Sequence, residues 1–216
     1  MMPQAGVARF KKNCPQCGAP VEFKFAQAVQ TVCPFCKSIL VRRDVNLETV
    51  GSVADPLLDS SPIQIGTEGV YANKPFVVVG RIVYEYEGGR WNEWHCVFND
   101  STSGWLSDAQ LEYALTVLIA QGGALPNPPQ PGARVVLHDV EYMLTTLTKA
   151  RYVGVEGELP FEYWDKRQCL FVDLQTPDAR FATIDYSENP PLVFAGYRLD
   201  YDDLKLKNVK LFEGWK

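Results

Sequence analysis

Four cysteines near the amino terminus constrain the fold of this chain more than any other feature. They form two Cys-x-x-Cys pairs, Cys14-Pro-Gln-Cys17 and Cys33-Pro-Phe-Cys36, with fifteen residues between the pairs. Pairs at this spacing place four thiolates on two tight turns, an arrangement that holds a tetrahedral zinc ion with no open coordination position. The sequence therefore predicts one structural Zn²⁺, bound by Cys14, Cys17, Cys33 and Cys36.

The segment around these cysteines predicts a small zinc ribbon at residues 1–45. Residues 21–25 alternate apolar and polar, and residues 38–41 form an apolar run after the second pair, so both read as short strands. A unit of this size has too little apolar content to fold alone, so the ion would be its core. Residues 46–62 lack a sustained period and end in turn formers, which predicts a linker.

The remainder of the chain has a β pattern. Turn signals separate short apolar runs, which favours small sandwiches or barrels over alternating strands and helices. We therefore expect an all-β protein with an N-terminal zinc ribbon followed by two tandem small β-barrel-like repeats, SH3-like or sandwich, at residues 63–125 and 126–216. Three residues recur at the same offsets in the two segments: Gly66, Val70 and Phe76 in the first, and Gly132, Val136 and Tyr142 in the second.

Residues 107–121 fit two patterns. Ser107 and Gln110 have capping-box spacing before apolar residues that share one helical face. Apolar residues in the same stretch also alternate as in a strand. Because a strand would match the second segment, we expect a helical turn followed by a strand.

The charge distribution and the termini bear on location and partners. Residues 1–50 hold seven Lys and Arg against three Asp and Glu, so with a net charge of −5 the remaining 166 residues carry a formal −9. An acidic body of this kind argues against a nucleic-acid partner. No secretory signal and no transmembrane segment are expected. The expected location is the cytoplasm, including the surface of the inner membrane, where reduced thiols favour metal binding over disulfides.

Several motifs resemble a known family. They are Gly66-Thr-Glu-Gly, Val79-Gly-Arg-Ile-Val-Tyr-Glu-Tyr, Arg90-Trp-Asn-Glu-Trp, Gly104-Trp-Leu, Glu156-Gly-Glu-Leu-Pro and Phe181-Ala-Thr-Ile-Asp-Tyr-Ser. Over about residues 62–208 the chain resembles the bacterial family called domain of unknown function 4178. Leu111 departs from the family, whose members more often have glycine there, so the conformation around Gln110 is an open question.

The resemblance carries expectations of its own. Members of this family often have an N-terminal zinc ribbon. Their genes tend to lie beside genes for polyamine-synthase-like, small multi-pass membrane and flotillin-like proteins. This implies a stress- or envelope-linked assembly. The family supplies no established catalytic residues.

Two groups of side chains are candidate sites. Trp91, Glu93, Trp94 and Trp105 form the densest unusual cluster, which either fills a core or lines a ligand or partner surface. On a strand, Trp91 and Glu93 share one face and Trp94 lies on the other. The second group is Glu156 and Glu158, which flank Gly157. Their carboxylates could hold a hard cation or a polyamine, although a solvated charged loop is the commoner structure.

No catalytic motif is readable, so the favoured function is a non-enzymatic adaptor that binds one or more proteins, including membrane-associated ones. Two alternatives remain open. One is an enzyme or accessory protein that acts on a small cationic metabolite such as a polyamine. The other is a nucleic-acid binder that uses the ribbon.

Overall fold

The computed structural model describes residues 10–53, 61–121, 130–162 and 168–212. The prediction of an all-β protein is confirmed, since the described residues form β-strands and one short 3₁₀ turn, Tyr201–Leu204. None of them forms a helix that is long and apolar enough to cross a membrane. The strands are β1 Phe10–Asn13, β2 Pro20–Phe23, β3 Gln30–Val32, β4 Ser38–Arg43, β5 Asn46–Ser52, β6 Glu68–Tyr71, β7 Lys74–Tyr86, β8 Gly89–Phe98, β9 Ser103–Ala109, β10 Glu112–Gln121, β11 Arg134–Leu137, β12 Val140–Leu159, β13 Gln168–Gln175, β14 Arg180–Asp185 and β15 Leu192–Leu199.

The N-terminal part, residues 10–53, is called the ribbon below. Strands β1 and β2 form a two-stranded hairpin, and β3, β4 and β5 form a second antiparallel sheet. Residues 46–52, which the sequence predicted to begin a linker, belong to β5 and pair with β4. At its other edge β3 pairs with the end of β12, so this sheet continues into the rest of the protein. Residues 54–60, the middle of the predicted linker, lie outside the described residues.

Eight of the remaining strands form a closed antiparallel circuit, called the ring below. Strands β7 to β10 follow one another as hairpins, and so do β12 to β15. Two further pairings, β10 with β15 and β7 with β12, join these halves at both ends. The sequence predicted two tandem barrel-like repeats, whereas the strands of the ring belong to one continuous sheet, because the outer strands of each half pair with those of the other.

The close pairing of β7 with β12 depends on two glycines. A Cβ on Gly80 would overlap the carbonyl oxygen of Glu158, and one on Gly157 would overlap that of Val79. Gly157 also has a φ of +64°, which L side chains rarely adopt. Side chains at these positions would therefore force the two strands apart.

Each half of the ring has its own apolar core. In the first half it includes Val78, Trp94 and Leu106, and in the second Leu144 and Val172, with further residues from neighbouring strands. Because side chains alternate along a strand, the intervening residues of the same strands face the opposite side of the sheet. That opposite side lines the interior of the ring.

The hairpins that lead into the two halves share local hydrogen bonds. The N–H of Gly66 donates to the carbonyl of Val78, and the N–H of Gly132 donates to that of Leu144, both at 2.8 Å. Each hairpin turns through two consecutive residues with positive φ. This geometry gives a two-residue turn the twist that matches its flanking strands. These residues are Ala72 and Asn73 in the first hairpin, and His138 and Asp139 in the second.

The prediction of a helical turn within residues 107–121 is wrong. Gln110 and Leu111 form a two-residue turn between β9 and β10, with φ values of 53° and 73°. The alternating pattern arises because successive side chains of β10 face opposite sides of the sheet, and the apparent capping box has no structural role. A glycine at position 111 would suit this left-handed backbone better than leucine does.

Candidate metal centre and ligand cavity

The four ribbon cysteines form one cluster. Their sulfur atoms all lie within 4.8 Å of one another, and the pairs Cys14–Cys36 and Cys17–Cys33 are separated by 3.7 and 3.8 Å. A tetrahedral zinc ion with Zn–S distances of about 2.3 Å places its sulfurs about 3.8 Å apart. A disulfide would need a separation of about 2.05 Å, so the described geometry fits a metal ion and excludes a bridge.

The two turns present the thiolates as the spacing predicted. Gly18 has a φ of 74° directly after the first pair, and the N–H of Gly18 donates to the carbonyl of Cys14 at 2.9 Å. The second pair repeats this bond, from Lys37 to Cys33 at 3.0 Å. Cys14 and Cys33 are buried with the few apolar side chains of the ribbon, so the cysteines supply much of its core.

The ribbon is held on the ring by a buried carboxylate. Glu158, on β12, accepts the backbone N–H of Lys24 at 2.8 and 3.0 Å and that of Phe25 at 2.8 Å. Its side chain is therefore not in the solvated loop that the sequence suggested; only 5% of the residue is exposed. Its neighbour Glu156 pairs with buried Arg81 at 3.2 Å. Both acidic residues thus have structural partners.

A cavity of about 1010 Å³ occupies the interior of the ring. All eight ring strands contribute to its lining, and so do Gln27 of the ribbon and residues 160–162. This volume is at the upper end of the range found for small-molecule sites. The cavity is thus large enough for a metabolite.

The described lining of the cavity holds more carboxyl groups than basic groups. Among the described residues of its lining, six carry carboxyl groups and only one, Arg198, is basic. The acidic residues are Glu93, Glu112, Glu162, Asp173, Asp185 and Glu188. A cation inside the cavity would therefore meet a favourable field, which the low-dielectric walls concentrate.

Glu93 is the carboxyl most affected by this environment. Burial raises its pKa to about 8, and the nearby Asp173 and Asp185 carboxyls contribute to the increase. The indole N–H of Trp91 donates to Glu93 at 3.0 Å, and the hydroxyl of Ser107 donates at 2.8 and 2.9 Å. These bonds fix the direction of the side chain.

The second half of the ring supplies two more carboxyls. Burial raises the pKa of Asp173 to about 6, although the Thr183 hydroxyl opposes this by hydrogen bonding. Burial also raises the pKa of Asp185, which accepts the N–H of Ser187 at 2.8 Å. The negative charges of Asp173 and Asp185 in turn disfavour the ionisation of Glu93.

Aromatic rings form much of the remaining wall. Tyr84 stacks on Trp91 with ring centroids 4.9 Å apart, and Phe171 meets both rings edge-on at 5.0 and 5.5 Å. Elsewhere in the wall Trp105 stacks on Phe161 at 5.7 Å. The electron-rich faces of such rings attract cations.

The structure brings together three of the four residues predicted as a ligand or partner surface. Trp91, Glu93 and Trp105 line the cavity. Trp94 is fully buried in the core on the other face of β8, where the Arg81 guanidinium lies 4.7 Å above its ring. The alternation along the strand had predicted this separation.

Asp173 and Asp185 were not among the site residues predicted from the sequence. Both lie in the part of the chain that was predicted to be β, at positions that alternate with buried apolar residues. A signal was available, because Phe171 shares a face with Asp173 while Val172 and Leu174 occupy the other. When one face of a strand is fully apolar and the other combines an aromatic residue with an aspartate, the second face is expected to line an enclosed polar interior.

These features define a class: an all-β ring with an acidic, aromatic interior and an N-terminal four-cysteine cluster consistent with a zinc ribbon. Residues 64–201 match the family described as domain of unknown function (DUF4178), so the chain belongs to that family. The matched segment spans the ring and excludes the ribbon. Searches of curated proteins and of solved structures found no match to the chain.

Proposed function

We propose that this protein is a non-catalytic binding protein whose cavity holds a small organic cation. The observation that carries the proposal is the excess of carboxyl groups over basic groups in the described lining of the cavity. Buried carboxyls are costly for a folded protein when nothing neutralises them. A bound ammonium group would offset that cost and bring the pKa of Glu93 back toward its ordinary value.

The aromatic wall supports an organic ligand over a bare metal ion. Tyr84, Trp91 and Phe171 offer ring faces and edges to a hydrocarbon chain or a substituted ammonium group. Hydroxyl groups of Ser107 and Thr183 already donate to carboxyls in the cavity. Amines with more than one charge would interact with several carboxyls together, a class that includes the polyamines.

A second candidate is an enzyme that acts on such a cation. The observation in its favour is the pKa of Glu93, which at about 8 suits a general acid or base near neutral pH. The two candidates differ in what Glu93→Gln would do. In an enzyme the variant loses turnover, whereas in a binding protein only affinity changes.

The four-cysteine cluster is proposed to hold one structural zinc ion, supported by the sulfur separations and by the closed set of four thiolates. The adaptor function expected from the sequence stays a proposal. Its support is the exposure of the ribbon's outer side, where Phe35 between the cysteines of the second pair is 66% exposed. The cytoplasm remains the proposed location.

We also propose that the two halves of the ring are copies of one β unit. Both follow the same order of strand pairing, and the hairpins at Gly66 and Gly132 share their hydrogen bonds and turn geometry. Phe76 and Tyr142 are the first aromatic residues of the two segments, and each is buried in the core of its own half.

Calorimetric titration with three compounds of equal chain length tests the binding function. These are 1,8-diaminooctane, the uncharged octane-1,8-diol and the dianion suberate. The diamine is expected to bind at least tenfold more tightly than the diol, a difference of about 1.4 kcal/mol, and suberate is expected not to bind. The proposal would be contradicted if the diol bound as tightly as the diamine. It would also be contradicted if none of the three cations, the diamine, spermidine and phenyltrimethylammonium, bound.

Variants of the cavity carboxyls sharpen the titration. Glu93→Gln and Asp173→Asn should each weaken diamine binding about tenfold, because each removes one ionisable partner of an ammonium group. Glu87→Gln is the matched control, since Glu87 is exposed and outside the cavity lining. If the control variant weakens binding as much as the other two, the cation is bound elsewhere.

A further inference from the structure

The ribbon supplies part of the cavity wall. Gln27, in the segment between β2 and β3, lies in the lining together with residues of the ring. We infer that metal binding by the four cysteines and cation binding in the cavity strengthen each other, because the metal fixes ribbon residues that complete the wall. This inference rests on the proposed binding function for its ligand, but its structural part can be tested independently.

The metal cluster controls the position of the segment around Gln27. Cys17 precedes this segment and Cys33 follows it, so both ends are anchored by the same four-sulfur cluster. Within it, the N–H of Ala28 donates to the carbonyl of Phe25 at 3.1 Å, and both side chains are buried. Without the metal this small unit would lose most of what holds it in one conformation.

Phe25 joins the segment to the interior of the ring. Its ring meets His95 edge-on at a centroid distance of 5.2 Å, and His95 lies 5.0 Å from Trp105 in the cavity wall. His95 is fully buried, and its Nδ1 is 2.9 Å from the carbonyl oxygen of Glu158. The aromatic contacts therefore run without a gap from the ribbon to the cavity.

A second connection passes through residues 160–162. Glu162 forms two hydrogen bonds with the guanidinium of Arg43, at the end of β4 in the ribbon. Phe161, next to it, stacks on Trp105. Phe161 and Glu162 line the cavity and lie outside the ribbon. The ribbon therefore also positions cavity residues that are not its own.

These contacts couple the two binding events thermodynamically. If the metal orders the wall, a cation that contacts the ordered wall binds more tightly, and the same factor must increase metal affinity when the cation is present. Coupling of this kind usually amounts to a factor of about 5 to 150. The readout can therefore be metal affinity alone.

The first experiment measures zinc affinity by competition with a chromophoric chelator, with and without saturating 1,8-diaminooctane. The diamine is expected to increase zinc affinity at least fivefold. Arg43→Ala should reduce this increase by half or more, because it breaks the bond to Glu162 without touching a cysteine. Lys12→Ala, an exposed change on β1, should leave it unchanged. Equal zinc affinity with and without bound diamine would overturn the inference.

The second experiment needs no ligand. In a background with Trp164→Phe and Trp215→Phe, acrylamide quenching reports on the three remaining tryptophans, of which Trp91 and Trp105 line the cavity. Removal of zinc with a chelator should increase quenching at least twofold, and restoring zinc should reverse it. Arg43→Ala with zinc bound should show a smaller increase.

The two experiments separate the possible failures. If quenching responds to zinc but no amine binds, the ribbon closes the cavity and the proposed ligand class is wrong. If amines bind but neither quenching nor zinc affinity responds, the binding function stands and the coupling inference is overturned.

Discussion

The Glu158 carboxylate accepts the backbone N–H of Phe25 at 2.8 Å, which links two residues separated by 133 positions in the sequence. The backbone N–H of Lys24 also donates to this carboxylate, at 2.8 and 3.0 Å, so these donors belong to the main chain. A substitution of the ribbon side chains would leave these donors in place. Only a change in the ribbon's backbone conformation would leave the carboxylate without them.

The first prediction concerns loss of the metal. Cys33→Ser should reduce bound zinc from about one ion per chain to none, and it should also lower the free energy of unfolding of the ring by about 3 kcal/mol. The reason is that a disordered ribbon removes the hydrogen bonds to Glu158 and the pairing of β3 with the end of β12. Elemental analysis and urea unfolding measure the two effects. Cys169→Ser, outside the cluster, should keep the metal; a ring of unchanged stability in Cys33→Ser would contradict this prediction.

The second prediction concerns the pH dependence of stability. The folded-state pKa of Glu93, about 8, exceeds the ordinary value of 4.5, so between these values the folded protein holds a proton that the unfolded chain has lost. Stability therefore falls as the pH rises through this window. Glu93→Gln should reduce this fall, leaving the smaller part that the raised pKa of Asp173 causes, and stabilise the ligand-free protein by about 1–3 kcal/mol near pH 7.5, with little effect near pH 4.5.

Urea midpoints at the two pH values provide the measurement. Glu87→Gln, an exposed change, should follow the wild-type profile at both. If Glu93→Gln is less stable than wild type near pH 7.5, Glu93 is ionised and stabilising in the folded protein, which would rule out the raised pKa.

The third prediction concerns the close pairing of β7 with β12. Gly80→Ala should destabilise the protein by at least about 3 kcal/mol, because its methyl group would overlap the Glu158 carbonyl in the backbone of the neighbouring strand. Gly51→Ala is a matched control on β5, where the nearest atom to an added Cβ is a side-chain carbon of Ile39 at 3.8 Å. The thermal unfolding midpoints of the two variants should differ clearly. Similar midpoints would show that the ring tolerates a larger separation of β7 and β12.

The fourth prediction concerns the turn at Gln110 and Leu111. Leu111→Gly should stabilise the protein by about 0.5–1 kcal/mol, since Leu111 has a φ of 73° and a side chain that is 76% exposed. Leu111→Asn should fall between glycine and leucine, and Leu111→Val should be the least stable of the four. Thermal midpoints measured in one buffer test this order, and a Leu111→Gly variant less stable than wild type would refute it.

The cysteines and the strands were predictable because their signals are local. Four thiolates at the spacing of Cys14 to Cys36 suit one coordination geometry, and alternation along a strand separates Trp91 and Glu93 from Trp94 without any tertiary information. The turn at Leu111 was missed because leucine rarely adopts positive φ, so the residue type concealed the conformation.

The cavity was not predictable from one sequence, because it depends on long-range pairing. Asp173 and Glu93 approach each other only when β7 pairs with β12 and β10 with β15, and nothing local in those strands specifies these partners. The role of Glu158 was missed for the same reason. Its sequence neighbours indicate a charged loop, whereas its structural partners lie more than 130 residues away.

The closure of the ring from two halves of one chain has a consequence for how its ligand preference can evolve. A cavity built between two identical subunits would receive every mutation twice, and its walls would have to stay alike. Here one wall carries Glu93 with two tryptophans, and the facing wall carries Asp173 and Asp185. Because each wall is encoded separately, the two ends of an unsymmetrical molecule can each acquire a complementary surface of their own.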